Sequence, residues 1–287
     1  MKDKVDFIIS YVNRNDPVWE ENAERCQVFN KNGGVSSHLR YNDDGLVELA
    51  VKSIKKYCNW VGNVYLILFD SPGQIPNNIK DLVTPIWHSE FIPEEYRPCF
   101  CSPTIEDFFP FLPDYVSNKF IYMNDDMILL KKMRYEQFFE GEYPKRSIEF
   151  VEGVGKHQNR ILLNSYNLIM GKNQSIDSII SLHGPTPFNK KQLSECWEKH
   201  GGDILKTVNP LFRTEHSVSQ YVYSVFDAIF YHTSTISVKN ISLLNNRSYE
   251  GFDWDEINKY DSICMNTPPY GDISEYVDIV RKYIENN

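Results

Sequence analysis

The chain lacks most of the features that place a protein quickly. Its 30 Lys and Arg residues nowhere gather into a run. Without a basic stripe there is no footprint for nucleic acid, and no nucleic-acid partner is expected. Its 14 glycines are dispersed. No Gly-rich loop opens a helix, which removes both the ATPase phosphate loop and the dinucleotide fingerprint. Repeats, low-complexity tracts and linkers are also missing, and a single domain over residues 1–287 is expected. Met1-Lys2-Asp3-Lys4 runs into an apolar segment too short and too mixed for a signal peptide or a membrane span. The six cysteines (Cys26, Cys58, Cys99, Cys101, Cys196, Cys264) are scattered. Only Cys99 and Cys101 are close, and a C-x-C pair alone is weak evidence for zinc. They read as reduced thiols of a cytoplasmic protein, which would make the sequons at Asn173, Asn240 and Asn246 incidental.

What is present is an apolar fraction of 41% over 287 residues, enough for a sizeable core, and an aromatic fraction of 14%. Aromatics are core residues first, but this many also suit surfaces that stack sugars or bases. The formal charge is −9, so an anionic substrate would need local basic residues or a metal.

The most telling stretch is Lys119 to Leu130. An apolar run ends in Asn124-Asp125-Asp126, and a second apolar run follows at once. Runs of this length and composition read as buried strands. Two neighbouring carboxylates at a strand end repel one another and resist desolvation. A hard divalent cation such as Mg2+ or Mn2+ compensates both, with Asp125 and Asp126 as ligands. The alternative is a polar turn in which Asn and Asp cap backbone groups.

Around this stretch, Val5–Val12 reads as a first strand. A helix follows, with Asp16 as its N-cap and Pro17 at the first helical position. Residues 31–35 read as a loop and 46–57 as an amphipathic helix. Strands are expected at 63–69 and 82–87, and a helix at 103–109. Strand, helix, strand in this order predicts an α/β fold with a mainly parallel sheet over residues 1–150. Helices are expected at 159–170, 189–200, 214–226 and 273–285, giving a helical second half over 151–287.

Four polar clusters punctuate these elements. Tyr11, Asn13 and Asp16 follow the first strand, where a nucleotide's base and ribose would sit in an α/β domain; a capped helix start explains them equally well. Arg40, Tyr41, Asp43 and Asp44 precede the second helix. His183-Gly184-Pro185-Thr186-Pro187, followed by Arg213, puts an imidazole in a Pro-stiffened loop, a setting for an acid, a base or a phosphate ligand. Cys264-Met265-Asn266-Thr267-Pro268-Pro269 reads only as a turn.

In their order these clusters resemble the signature regions of the Stealth family of sugar-1-phosphate transferases. That family includes bacterial capsular and exopolysaccharide phosphotransferases and the animal N-acetylglucosamine-1-phosphotransferase. The resemblance runs through Asp6 to Trp19, Arg40 to Gly45, Lys52 to Ile54, Trp60 to Tyr65, His88-Ser89, Ser102 to Glu106 and Phe120 to Met127. It continues through His183 to Pro187 with Arg213, and Ile263 to Asn266. The chain departs from the family at Asn13 and Thr267, where Asp is usual, and at Leu46, where Glu is usual.

The resemblance implies a fold like that of nucleotide-sugar glycosyltransferases of the GT-A kind, with the helical half completing the active-site cleft. It implies transfer of a sugar-1-phosphate from a UDP-sugar to a saccharide hydroxyl, with release of UMP. The acceptor would be a growing polysaccharide or a lipid-linked oligosaccharide, with peripheral association at the inner face of the membrane. Asp126, His183, Arg213 and Arg40 would be the catalytic groups. Tyr11, Asn13, Asp16, Asp43, Asn124 and Asn266 would hold the nucleotide-sugar. The alternatives are a metal-dependent glycosyltransferase that releases UDP, and a carbohydrate-binding protein without turnover.

Overall fold

The computed structural model describes residues 4–29, 41, 44–150, 159–171, 179–266 and 272–287. The expected loop at 31–35, the site candidates Arg40 and Asp43, and Thr267 lie outside them. Helices are α1 (Pro17–Arg25), α2 (Leu46–Tyr57), α3 (Ser102–Asp107), α4 (Arg160–Met170), α5 (Lys190–Leu205), α6 (Tyr221–Phe230), α7 (Asn246–Glu250) and α8 (Ser274–Asn286). Strands are β1 (Val5–Ser10), β2 (Val61–Leu68), β3 (Thr84–Trp87), β4 (Lys119–Asn124) and β5 (Met127–Leu129), then β6 (Phe139–Glu140), β7 (Tyr143–Pro144), β8 (Ile148–Phe150), β9 (Ile179–Ser181), β10 (Thr186–Asn189), β11 (Asn240–Leu243) and β12 (Ser262–Met265).

The main sheet runs β10-β4-β1-β2-β3. β1, β2, β3 and β4 are parallel, and β10 pairs antiparallel with β4. The α/β class with a mainly parallel sheet is therefore as expected. Side chains alternate across the sheet. Phe7, Ile9, Leu66, Leu68, Ile121 and Met123 face the core under α2 and α8. Ile8, Ile67, Phe120 and Tyr122 face the core shared with α4, α5 and α6. Burial on both faces explains why these strands read as continuous apolar runs. Asp6, itself fully buried, ties the amino ends of three strands together. Its carboxylate accepts from Asn63 N at 2.7 Å and Ser117 N at 2.8 Å. α2 opens on Gly45 at φ 81°, a left-handed turn that favours glycine.

Three expectations need correction. Residues 151–287 are not simply a helical half. β10 inserts into the main sheet, and β11 and β12 join β5 in a second sheet of order β11-β12-β5. Short, mixed strands such as Thr186–Asn189 carry too few residues for a periodic signal. The helix expected at 214–226 runs over Tyr221–Phe230 instead. Local turns take the earlier residues: Thr214 N donates to Ser217 Oγ at 2.9 Å, and His216 N to Thr214 Oγ1 at 3.2 Å. Such side-chain bonds compete with helix formation. The helix at 190–205 also runs one turn further than expected.

The chain leaves the main sheet at Asn124 and enters the second sheet at Met127. Asp125 and Asp126 thus sit at the corner between the two sheets. β12 closes that corner, with Cys264 opposite Met127 and Met265 N donating to Asp126 O at 2.8 Å.

Candidate functional site

The carboxyl end of β4 opens onto a cavity of about 160 Å³. Its walls carry Glu106 from α3, Tyr122 and Asn124 from β4, and His183, Arg213 and Gln220 from the second half. Ligands in open α/β sheets bind at this end of the strands.

Glu106 reaches the cavity because α3 is short and packed against the start of α6. Its Oε1 accepts from Tyr122 Oη at 3.0 Å and its Oε2 from Gln220 N at 3.3 Å. Burial pushes this carboxyl above its ordinary range, although the Arg213 charge and both hydrogen bonds pull the other way. Arg213 is exposed, and its Nη2 donates to Ser102 Oγ at 2.9 Å. The Ser102 hydroxyl of α3 thus holds the guanidinium at the cavity wall, with Glu106 of the same helix near enough to feel its charge. A planar guanidinium so held suits phosphate oxygens.

His183 has φ 42°, a left-handed conformation uncommon for a residue with a side chain. Its N donates to Ser181 Oγ at 3.1 Å. Gly184, next in the chain, leaves no room for a Cβ: one placed there would lie 2.1 Å from Asn240 Nδ2. Asn240 is itself pinned, donating to Leu182 O at 3.2 Å and accepting from the Ser262 hydroxyl. The loop conformation is thus fixed by packing, the usual setting for backbone strain at a working site.

Cys264 links this loop to the sheet corner. Its Sγ lies 3.4 Å from Asp126 Oδ2 and 3.5 Å from His183 Nε2. Burial, and then the charge of Asp126, push the thiol well above its ordinary range, so it keeps its hydrogen and can donate it to the carboxylate. Burial also raises the Asp126 carboxyl, offset in part by His183 and by the Cys264 thiol. Asp126 Oδ1 is out of solvent and has no hydrogen-bond partner.

That orphaned oxygen, with Asp125 beside it, fits the implied divalent cation: a hard ion would satisfy the buried lone pairs and favour the ionised form. Among the described residues no group of three or more His, Cys, Asp and Glu could hold a metal unaided. Two carboxylates completed by substrate phosphate oxygens and water is the usual arrangement for Mg2+.

The other candidates are placed differently. Tyr11 is buried in the core. Asn13 and Asp16 close on the loop after β2. Asn13 N donates to Gln74 Oε1 at 2.8 Å and its Nδ2 to Gly73 O at 2.9 Å. Asp16 caps α1, its Oδ1 accepting from Val18 N at 3.1 Å, while Gln74 Nε2 donates to its Oδ2 at 2.8 Å. Asn266 ends β12, with its N donating to Leu243 O at 3.0 Å and its O accepting from Tyr249 Oη at 3.1 Å. None of these four lines the cavity. Sequence reasoning named His183 and Arg213, which line the cavity, and Asp125 and Asp126, which lie between its wall residues Asn124 and Met127 without lining it. It held Glu106 only within the resembling stretch Ser102 to Glu106 and gave Cys264 no role. Glu106-Asp107 in an apolar setting is the same signal as Asp125-Asp126: paired carboxylates where burial is expected. All six cysteines are free.

The chain is similar in sequence to several known proteins. A family model described as Stealth protein CR2, conserved region 2, matches residues 40–147. The capsular polysaccharide phosphotransferase WcwK of Streptococcus pneumoniae is 23% identical over 99% of this chain and 97% of its own length. A capsular polysaccharide phosphotransferase of Actinobacillus suis is 24% identical over 75% of this chain, and the match spans 61% of that relative. Among solved structures, mouse xyloside xylosyltransferase 1 in its apo form aligns over 91% of this chain and 97% of its own, with 9% identity and a TM-score of 0.43.

Proposed function

We propose that the chain, whose residues 40–147 match the Stealth conserved region 2 and which is similar over nearly its whole length to a capsular polysaccharide phosphotransferase, is a phosphotransferase of that kind and moves a hexose-1-phosphate or N-acetylhexosamine-1-phosphate from a UDP-sugar to a saccharide hydroxyl. UMP leaves, and a phosphodiester remains in a capsular or exopolysaccharide. One observation carries this reading: Arg213 and His183, from distant parts of the chain, face the same cavity at the end of β4, beside the corner that holds Asp125 and Asp126.

The acceptor oxygen attacks the β-phosphorus and a new oxygen–phosphorus bond forms. The bond from that phosphorus to the oxygen bridging it to UMP breaks, and UMP takes the electron pair. His183 is the group in the cavity suited to take the hydroxyl proton. Arg213 would clamp the phosphoryl oxygens as charge spreads over them, aided by Arg40 as the resemblance implies. A divalent cation held by Asp125 and Asp126 would neutralise the diphosphate and the leaving UMP. β1 and β4 are neighbours, with Ser10 opposite Asn124. A uridine beside Tyr11 and Asn13 would therefore lay its diphosphate toward the carboxylate corner, and Asp16 would act by shaping that loop. Asn124, in the cavity wall, would contact the nucleotide-sugar directly in this reading, and Asp43 and Asn266 are contacts that the resemblance alone implies. No helix among the described residues is long and apolar enough to cross a membrane. We place the work in the cytoplasm, at the membrane face where the polymer is assembled.

A panel of nucleotide-sugars with saccharide acceptors, scored for the nucleotide released, tests the proposal. Release of UMP with formation of an acid-labile phosphodiester is expected. UDP release would contradict it.

A further inference from the structure

A second cavity, of about 320 Å³, lies at the other end of the sheet. Its walls come from the end of α2, the turn into β2 and the segment after β5. Trp60 immediately precedes β2, and Lys119, which opens β4, donates to Tyr135 Oη at 3.1 Å. The groove therefore lies at the amino ends of strands whose carboxyl ends form the catalytic cavity. The six residues of β4 set the two apart by about 20 Å at 3.3 Å per residue.

The wall chemistry is distinctive for a chain of net charge −9. Lys132 and Arg134 stand against one carboxylate, Glu136, while Lys56 lines the wall with its ammonium given to Ile284 O at the end of α8. Lys132 and Arg134 are exposed, and neither is in a salt bridge among the described residues. Trp60 and Tyr135 form the apolar part, with ring centroids 5.9 Å apart at 84°. Trp60 Nε1 donates to Met133 O at 2.8 Å, which fixes the indole in the wall. Aromatic faces with amide and carboxylate groups beside them suit sugar rings, and cations suit phosphodiesters.

We propose that this groove binds an anionic saccharide, a phosphodiester-linked segment of the acceptor or product polymer. The inference rests on the reaction proposed above, because that reaction makes such a polymer. A concave groove with a half-buried, hydrogen-bonded Trp suits a ligand segment better than a lipid surface, where aromatic side chains must protrude. Holding the polymer away from the reacting end would keep long acceptors attached between transfers.

The test is a binding measurement that needs no turnover. Isothermal titration with a phosphomannan, whose hexose segments are joined by phosphodiesters, neutral dextran and phosphatidylglycerol vesicles is run on the whole protein, on Lys132→Glu/Arg134→Glu, and on Arg213→Ala. The native protein should bind the phosphodiester polymer and not dextran. Charge reversal should weaken that binding about tenfold or more, the loss of two charge-assisted contacts, while Arg213→Ala retains it. If reversal disturbs folding, Lys132→Gln/Arg134→Gln gives the same reading. Equal binding by native and substituted groove, loss of binding in Arg213→Ala, or binding to vesicles without binding to the polymer would each overturn the proposal. Failure here leaves the nucleotide-release result untouched, and UDP release would leave this binding result standing, so the two readings fail separately.

Discussion

The carboxyl ends of β1 and β4 are adjacent in one sheet, and both carry Asn and Asp, yet their polar groups behave in opposite ways. After β1, Asn13, Asp16 and Gln74 close on one another and on backbone groups, and both Asp16 oxygens have donors. After β4, Asp126 keeps one buried oxygen without a partner, its carboxyl is raised by burial, and the bonds it does make lead through Cys264 to a strained His183. A cluster that satisfies itself holds a loop in shape. One that leaves a buried acceptor open beside a cavity keeps capacity for a further partner.

This contrast is open to test, and the largest effects are expected at the open end. Arg213→Ala, His183→Ala and Asp126→Asn should each lower kcat/KM by at least about 100-fold, the scale of losing a preorganised charge contact. Arg213 is exposed and His183 half-buried, so those two variants should melt within a degree or two of the native protein in calorimetry. A large fall in Tm with activity per folded molecule intact would make them structural and erase the contrast.

At the closed end the effect should fall on stability. Asp16→Ala removes a helix cap and leaves Gln74 Nε2 short of an acceptor, together costing about 1–3 kcal/mol. Urea unfolding measures it. Unchanged stability with a raised KM for the donor would instead make Asp16 a direct ligand contact.

The smallest effect is a pH dependence at Glu106. Burial holds this carboxyl above its unfolded value. The folded state thus binds more protons than the unfolded state from the ordinary carboxylate range upward. Its contribution to stability is greatest below that range and is lost as pH rises through the folded value. Glu106→Gln has no such proton to lose, so it should gain on the native protein as pH rises above the carboxylate range. A stability difference constant with pH would mean that Glu106 is not held in a raised state.

Much of this was legible in the sequence. α2 is where amphipathic spacing puts it, and α1 starts where Asp16-Pro17 predicts. Long apolar strands of the parallel sheet stand out because both faces are buried. The carboxylate corner was visible because charge between two apolar runs needs an explanation. What did not show was anything joined at long range. Gln220 N meets Glu106 across 114 residues, and the β10–β4 pairing depends on a four-residue strand. Neither leaves a periodic trace. The Thr214–Ser219 turns misled for the opposite reason: their hydroxyls bind the backbone locally and hold off the helix until Tyr221.

The central claim is that the open cavity transfers a phosphoryl group and not a glycosyl group. The most direct measurement uses a UDP-sugar carrying oxygen-18 between the anomeric carbon and the β-phosphorus, with the released nucleotide and the product analysed by mass spectrometry. The account predicts that the label stays with the sugar, in the phosphodiester product, and that the nucleotide leaves as unlabelled UMP. Label recovered in UDP would show cleavage of the carbon–oxygen bond and contradict the account.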